Sequence, residues 1–166
     1  VTLPGAAGEI IESYDEISNS LRFNDGDSPR LTKTPSGAGN RNTWTFSTWV
    51  KKCMPVTGGN QRLIACGSGT GVKFSSIEFD SSDRIRILEG TESGSATTVV
   101  NGVGSNRDPS AWYHVVVKYD STQGTAADRV EIYLNGVEVT YSSTTYPAQN
   151  YDSEFNNTVV HTIGAT

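Results

Sequence analysis

Between Trp112 and Val139 the chain reads Trp-Tyr-His-Val-Val-Val-Lys-Tyr-Asp, a polar connection, and then Arg-Val-Glu-Ile-Tyr-Leu-Asn-Gly-Val-Glu-Val. This stretch constrains the fold to antiparallel β-structure. Asn135-Gly136 stands between alternating apolar residues. Both central residues of the favoured two-residue hairpin turn need positive φ, and Asn-Gly supplies them at least cost. With that turn, Leu134 faces Val137, Tyr133 faces Glu138 and Ile132 faces Val139. These pairs are compatible across a ladder.

Alternation extends the argument. Along the strand after Thr43, Trp44, Phe46, Thr48 and Val50 point one way, and Thr45, Ser47, Trp49 and Lys51 point the other. Val115, Val117 and Tyr119 oppose His114, Val116 and Lys118; Val130, Ile132 and Leu134 oppose Glu131 and Tyr133. One face of each strand is core and the other is exposed or half covered. Strands are expected at 20–24, 28–33, 43–52, 61–66, 73–80, 84–89, 96–101, 112–120, 129–135, 137–141 and 158–163. Turn-rich segments such as 35–40 and 57–60 separate them. Many short strands with regular turns make an all-β, two-sheet antiparallel sandwich. Residues 1–18 read as an N-terminal arm or linker, with Ile10, Tyr14, Ile17 and Leu21 spaced for a short amphipathic helix, and 19–166 as the domain.

The hydrophobic share is 35%, low because a half-buried strand spends only one face on the core. The net charge is −5 with 13 scattered Lys and Arg, which argues against a nucleic-acid partner. No apolar run approaches the length of a membrane span.

The residues offer few chemical constellations. His114 and His161 have no Cys, Asp or Glu at metal-ligand spacing, so no metal ligand is assigned. Gly67-Ser68-Gly69-Thr70-Gly71 lacks the Lys and helix of a phosphate loop and reads as a hairpin loop. Cys53 and Cys66 flank the turn around Gly58-Gly59; a disulfide and two buried thiols both suit that spacing. The best binding candidate is the run from Tyr141 to Asp152, read as a long loop. There Tyr141, Tyr146 and Tyr151 interleave with hydroxyls and the amide of Asn150. Sugars stack on aromatics and bond to amides, so Tyr141, Tyr146, Asn150 and Tyr151 are the expected ligand contacts. The competing reading packs these aromatics over the end of the sandwich.

Three segments in order, Ser20–Leu31, Trp44–Lys51 and Trp112–Gly136, resemble the laminin-G-like, concanavalin A-like lectin superfamily over roughly residues 20–164. The resemblance implies a jelly-roll sandwich. Members of that fold often bind calcium on rim loops. Asp25, Asp27, Asp120, Asp128 and Asp152 are the loop acids here, but they match no family motif and read more simply as turn formers. Laminarinase-type glycosidases of the fold carry Glu-x-Asp-x-x-Glu on one strand. Glu78-Phe79-Asp80-Ser81-Ser82-Asp83 comes nearest, yet it ends in Asp and turns at Ser81–Arg84. The chain is therefore expected not to be an enzyme, with no catalytic residue assigned. Relatives continue past Ile163-Gly164 into one more strand, so the chain reads as an excerpt of a longer polypeptide. Taken as the whole protein, it would leave a sheet edge near 20–24 open to another chain.

The wording of 20–51, 108–140 and 145–158 further resembles lectin-like domains of marine bacteriophage and cyanophage structural proteins. That resemblance implies a virion or extracellular appendage, partnered by other virion chains or copies of itself, with a bacterial surface glycan as ligand. A purely structural decoration module is the second expectation, and a glycoside hydrolase the third.

Overall fold

The computed structural model describes residues 20–23, 28–52, 54–56, 59–67, 73–91 and 95–164. Its strands are β1 (Leu31–Lys33), β2 (Thr43–Lys51), β3 (Gln61–Cys66), β4 (Phe74–Phe79), β5 (Ile85–Gly90), β6 (Ala96–Gly102), β7 (Trp112–Asp120), β8 (Val130–Leu134), β9 (Val137–Glu138), β10 (Tyr141–Thr145) and β11 (His161–Ile163). They form a seven-stranded sheet, β1-β11-β3-β4-β5-β6-β10, and a four-stranded sheet, β2-β7-β8-β9. Every pairing is antiparallel. This is the sandwich that the alternation predicts.

The core lies where the two inner faces meet. Phe46, Val115, Val117, Tyr119, Val130 and Ile132 come from the small sheet, and Ile77, Phe79, Ile85, Ile87 and Val100 from the large one. Each fully buried aliphatic side chain contributes about 1.5–3 kcal/mol. At one end Trp44 stacks on Tyr119 with centroids 4.7 Å apart, and Phe155 meets Trp44 edge-on at 4.9 Å.

The hairpin register is as expected. Asn135 and Gly136 take φ of 52° and 80°, Tyr133 faces Glu138, and Leu134 faces Val137. Asn135 does more than turn the chain. Its Oδ1 accepts from the His114 amide at 2.8 Å, and its own amide donates to the His114 carbonyl at 2.8 Å. The turn is thereby tied to β7.

Two expectations need correction. Residues 20–23 form no strand; Leu21 is exposed and the Phe23 ring lies against Gly164. The long edge strand among the described residues is instead β2, paired only with β7. The run from Tyr141 is not wholly loop either. Its first five residues form β10 beside β6, with a register shift between Tyr141 and Ser143. Consecutive hydroxyl and β-branched residues suit an exposed edge strand. The expected helix over 10–17 lies outside the described residues, as do Asp25, Asp27 and Cys53.

Gly90 is required for packing. A Cβ there would meet the Phe74 ring at 2.1 Å, because Phe74 lies over Gly90 from the facing strand. We expect Gly90→Ala to cost about 1–3 kcal/mol through displacement of that ring. Chemical denaturation checks this, and an unchanged midpoint would refute it.

Candidate functional site

Of the carboxylates singled out from the sequence, Glu78 stands on the outward face of the seven-stranded sheet, and Asp80 and Asp83 belong to the turn that follows β4. Ser81–Arg84 is a tight turn as expected. The Asp83 amide donates to the Asp80 carbonyl at 2.8 Å, and Asp83 takes φ of 61°. The carboxylates themselves are not solvated: Glu78, Asp80 and Asp83 are 0%, 2% and 1% exposed. Each is enclosed by cations. Glu78 stands between Arg62 and Arg86 on the neighbouring strands, with Arg86 Nε at 2.7 Å and Arg62 Nε at 3.4 Å. Arg84 grips Asp80 with Nε at 2.8 Å and Nη2 at 2.6 Å. Asp83 accepts from Lys52 Nζ, from the Val56 amide at 2.7 Å and from Arg107 Nε at 3.0 Å.

Burial works against the charges of Asp80 and Asp83. Hydrogen bonds from Arg84 and from Lys52, respectively, override it and hold both carboxyls below their ordinary range. A general acid needs a carboxyl that keeps its proton near neutral pH. Here Asp80 and Asp83 are held in the ionised form, and Asp83 sits in the turn itself with partners that Glu78 does not share. The arrangement holds a hairpin together.

The four residues expected to contact ligand are placed as follows. Tyr141 is half-buried, its hydroxyl accepts from the Ile132 amide at 2.9 Å, and burial pushes its pKa up to about 12. Tyr146 packs against the core. Asn150 is exposed in a turn at φ 60°, and its amide donates to the Ser121 carbonyl. Tyr151 is half-buried, with its hydroxyl 3.4 Å from Thr97 Oγ1. The tyrosine rings thus line the rim of the sandwich more than they project from it.

The outward face of the four-stranded sheet holds a cluster that the sequence reading did not single out. Trp49 and Trp112 are 53% and 54% exposed. Trp49 faces His114 across the β2–β7 ladder, and Trp112 precedes His114 by two residues on the same side of β7. The Trp49 and His114 rings stack with centroids 4.8 Å apart at 21°. Ser47 Oγ lies 3.0 Å from His114 Nε2 and fixes the imidazole. Two large indoles on an unbroken β2–β7 ladder, with hydroxyl and imidazole groups beside them, form an aromatic platform. The sequence signal was their common parity in the alternation.

Among the described residues no three His, Cys, Asp or Glu side chains converge on one point. Asp120 is a turn former: its oxygens accept from Thr122 Oγ1 at 2.6 Å, Gln123 Nε2 at 2.6 Å and Thr43 Oγ1 at 3.4 Å. Cys66 is a buried free thiol beside the Ser75 carbonyl, and burial pushes its pKa up. The pairing with Cys53 falls outside the described residues.

The sequence profile of the concanavalin A-like lectin/glucanases superfamily matches residues 25–166. No curated protein matches the chain. Among solved structures, the native heptameric SAP-like pentraxin from Limulus polyphemus aligns with a TM-score of 0.51 and 14% identity. The alignment covers 85% of this chain and 59% of the pentraxin, so the chain spans less than two thirds of that protein's length. At that identity the likeness is one of fold.

Proposed function

We propose that this chain, which belongs to the concanavalin A-like lectin/glucanases superfamily, is a non-enzymatic recognition domain that holds a saccharide on its aromatic platform. The observation that carries this reading is the joint exposure of Trp49 and Trp112 beside His114. Exposed indoles rimmed by polar groups mark binding surfaces. The apolar face of a pyranose stacks on such rings, while Ser47 and the edge of His114 offer hydrogen bonds to its hydroxyls. The arginine-held carboxylates support binding without hydrolysis.

A single platform binds weakly, so the reading includes display in many copies, on a virion or another extracellular assembly. The heptameric state of the pentraxin neighbour and the sequence resemblance to phage appendages support that setting. One observation favours assembly as a function in its own right. β2 is a nine-residue edge strand bonded on one side only among the described residues. Such an edge accepts another strand.

Binding of the purified chain, clustered on beads, to a panel of bacterial glycans tests the proposal. Trp49→Ala and Trp112→Ala are each expected to weaken binding by about tenfold, and chelator to leave it unchanged. Loss on Tyr146→Ala or Tyr151→Ala with both Trp variants intact would move the site to the tyrosine rim. Absence of binding by a folded, clustered sample would leave the assembly reading.

A further inference from the structure

Four neighbouring strands of the large sheet set small side chains in one outward row. Thr32 faces Thr162, Thr162 faces Ala65, and Ala65 faces Ser76. With nothing bulky to fill it, the face sinks at the β1–β11–β3 end into an open depression of about 560 Å³. Among the described residues its walls carry Arg30, Lys33 and Arg62 with the hydroxyls of Thr32, Thr34 and Thr162, and no Asp or Glu. Such a lining runs against the net charge of −5 of the whole chain.

Among the described residues the neighbouring charges do not balance. Arg62 and Arg86 share the one carboxylate of Glu78. Arg86 makes the shorter contact, at 2.7 Å against 3.4 Å, and 43% of the Arg62 side chain remains exposed. Neither Arg30 nor Lys33 has an ion-pair partner among the described residues. Among the described residues, three cations therefore line the recess with less than one carboxylate to offset them. Guanidinium forks match the planar oxygens of a carboxylate or the oxygens of a sulfate ester, and threonine hydroxyls match neighbouring sugar hydroxyls.

We propose that this depression is a second binding site, for the anionic group of an acidic polysaccharide. The saccharide class rests on the function proposed above; the anion chemistry does not. The depression and the platform lie on the outer faces of opposite sheets, so the two sites fail separately.

The test titrates the chain with polygalacturonate, dextran sulfate, neutral dextran and inorganic sulfate, at low and high salt. Arg30→Glu/Lys33→Glu alters two exposed side chains, and Arg62→Gln leaves Arg86 on Glu78 as a second, independent variant. An acidic polymer is expected to bind, more weakly at high salt, and to lose at least about tenfold in affinity in each variant. Trp49→Ala is expected to leave it unchanged. Equal binding by the variants, or loss of acidic-polymer binding on Trp49→Ala, would overturn the proposal. Competition by inorganic sulfate as strong as that of the polymer at equal charge would overturn the saccharide assignment.

Discussion

Asp83→Asn is expected to lower the unfolding free energy by about 3 kcal/mol or more, the largest effect of any conservative change to a single side chain considered for this fold. Asn keeps the shape of Asp and tolerates the positive φ of 61° that this position requires, so the loss isolates the charge. What suffers is Lys52. Its side chain is 2% exposed, and its ammonium is held by Asp83, by the Asn106 carbonyl at 3.0 Å and by the face of Phe79 at 4.5 Å. Without the carboxylate, a buried cation has no counter-charge, and the connections at Val56 and Arg107 are loosened with it. Arg107 is 65% exposed and readily rehydrates, so Arg107→Ala is expected to cost under about 1 kcal/mol. Urea denaturation of both variants decides the matter. A loss below about 1 kcal/mol for Asp83→Asn would show that Lys52 escapes to solvent.

The second large effect depends on pH and centres on Glu89. This residue is 0% exposed, facing the interior from β5, and among the described residues no Lys or Arg pairs with it. Burial pushes its pKa up; hydroxyl donors, including Ser75 at 3.0 Å and Tyr119 at 3.3 Å, only partly counter this. The folded state therefore binds the proton more tightly than the unfolded chain. Its contribution to stability is complete below the ordinary carboxylate pKa and is lost as pH rises toward the folded value, at up to about 1.4 kcal/mol per pH unit. Asp80 and Asp83 run the other way. Their lowered pKa values stabilise the fold above the ordinary carboxylate range, and that contribution is lost as the medium becomes acid. Glu89→Gln keeps a hydrogen-bonding side chain without the ionisation, so it is expected to flatten the decline toward alkaline pH and to raise stability at neutral pH. Melting temperatures of both proteins between pH 5 and pH 9 test this, since parallel curves would refute it.

The sequence foretold the sandwich because its signals are local. Asn135-Gly136 dictates a turn by backbone sterics alone. The parity of β2, β7 and β8 follows from the twofold repeat of an extended chain, and the structure places Phe46, Val117 and Ile132 inside as that repeat requires. The turn at Ser81–Arg84 was legible for the same reason. The reading was weaker where pairing partners decide. Tyr141–Thr145 is a strand because β6 presents a free edge to it, and 20–23 is not one although Leu21 and Phe23 alternate. Neither fact resides in the segment itself.

The candidate sites divide along the same line. Sequence by itself determined that Trp49 and His114 each look away from the core, since alternation leaves no other choice. Only the tertiary structure set β2 beside β7 in the register that brings Trp49 against His114 and leaves that face uncovered by another layer of described residues. The same holds for Arg62, Glu78 and Arg86, on three strands that share a row only after folding. The direction of a side chain is a property of its own backbone, whereas its neighbours, burial and charge balance belong to strands distant in sequence.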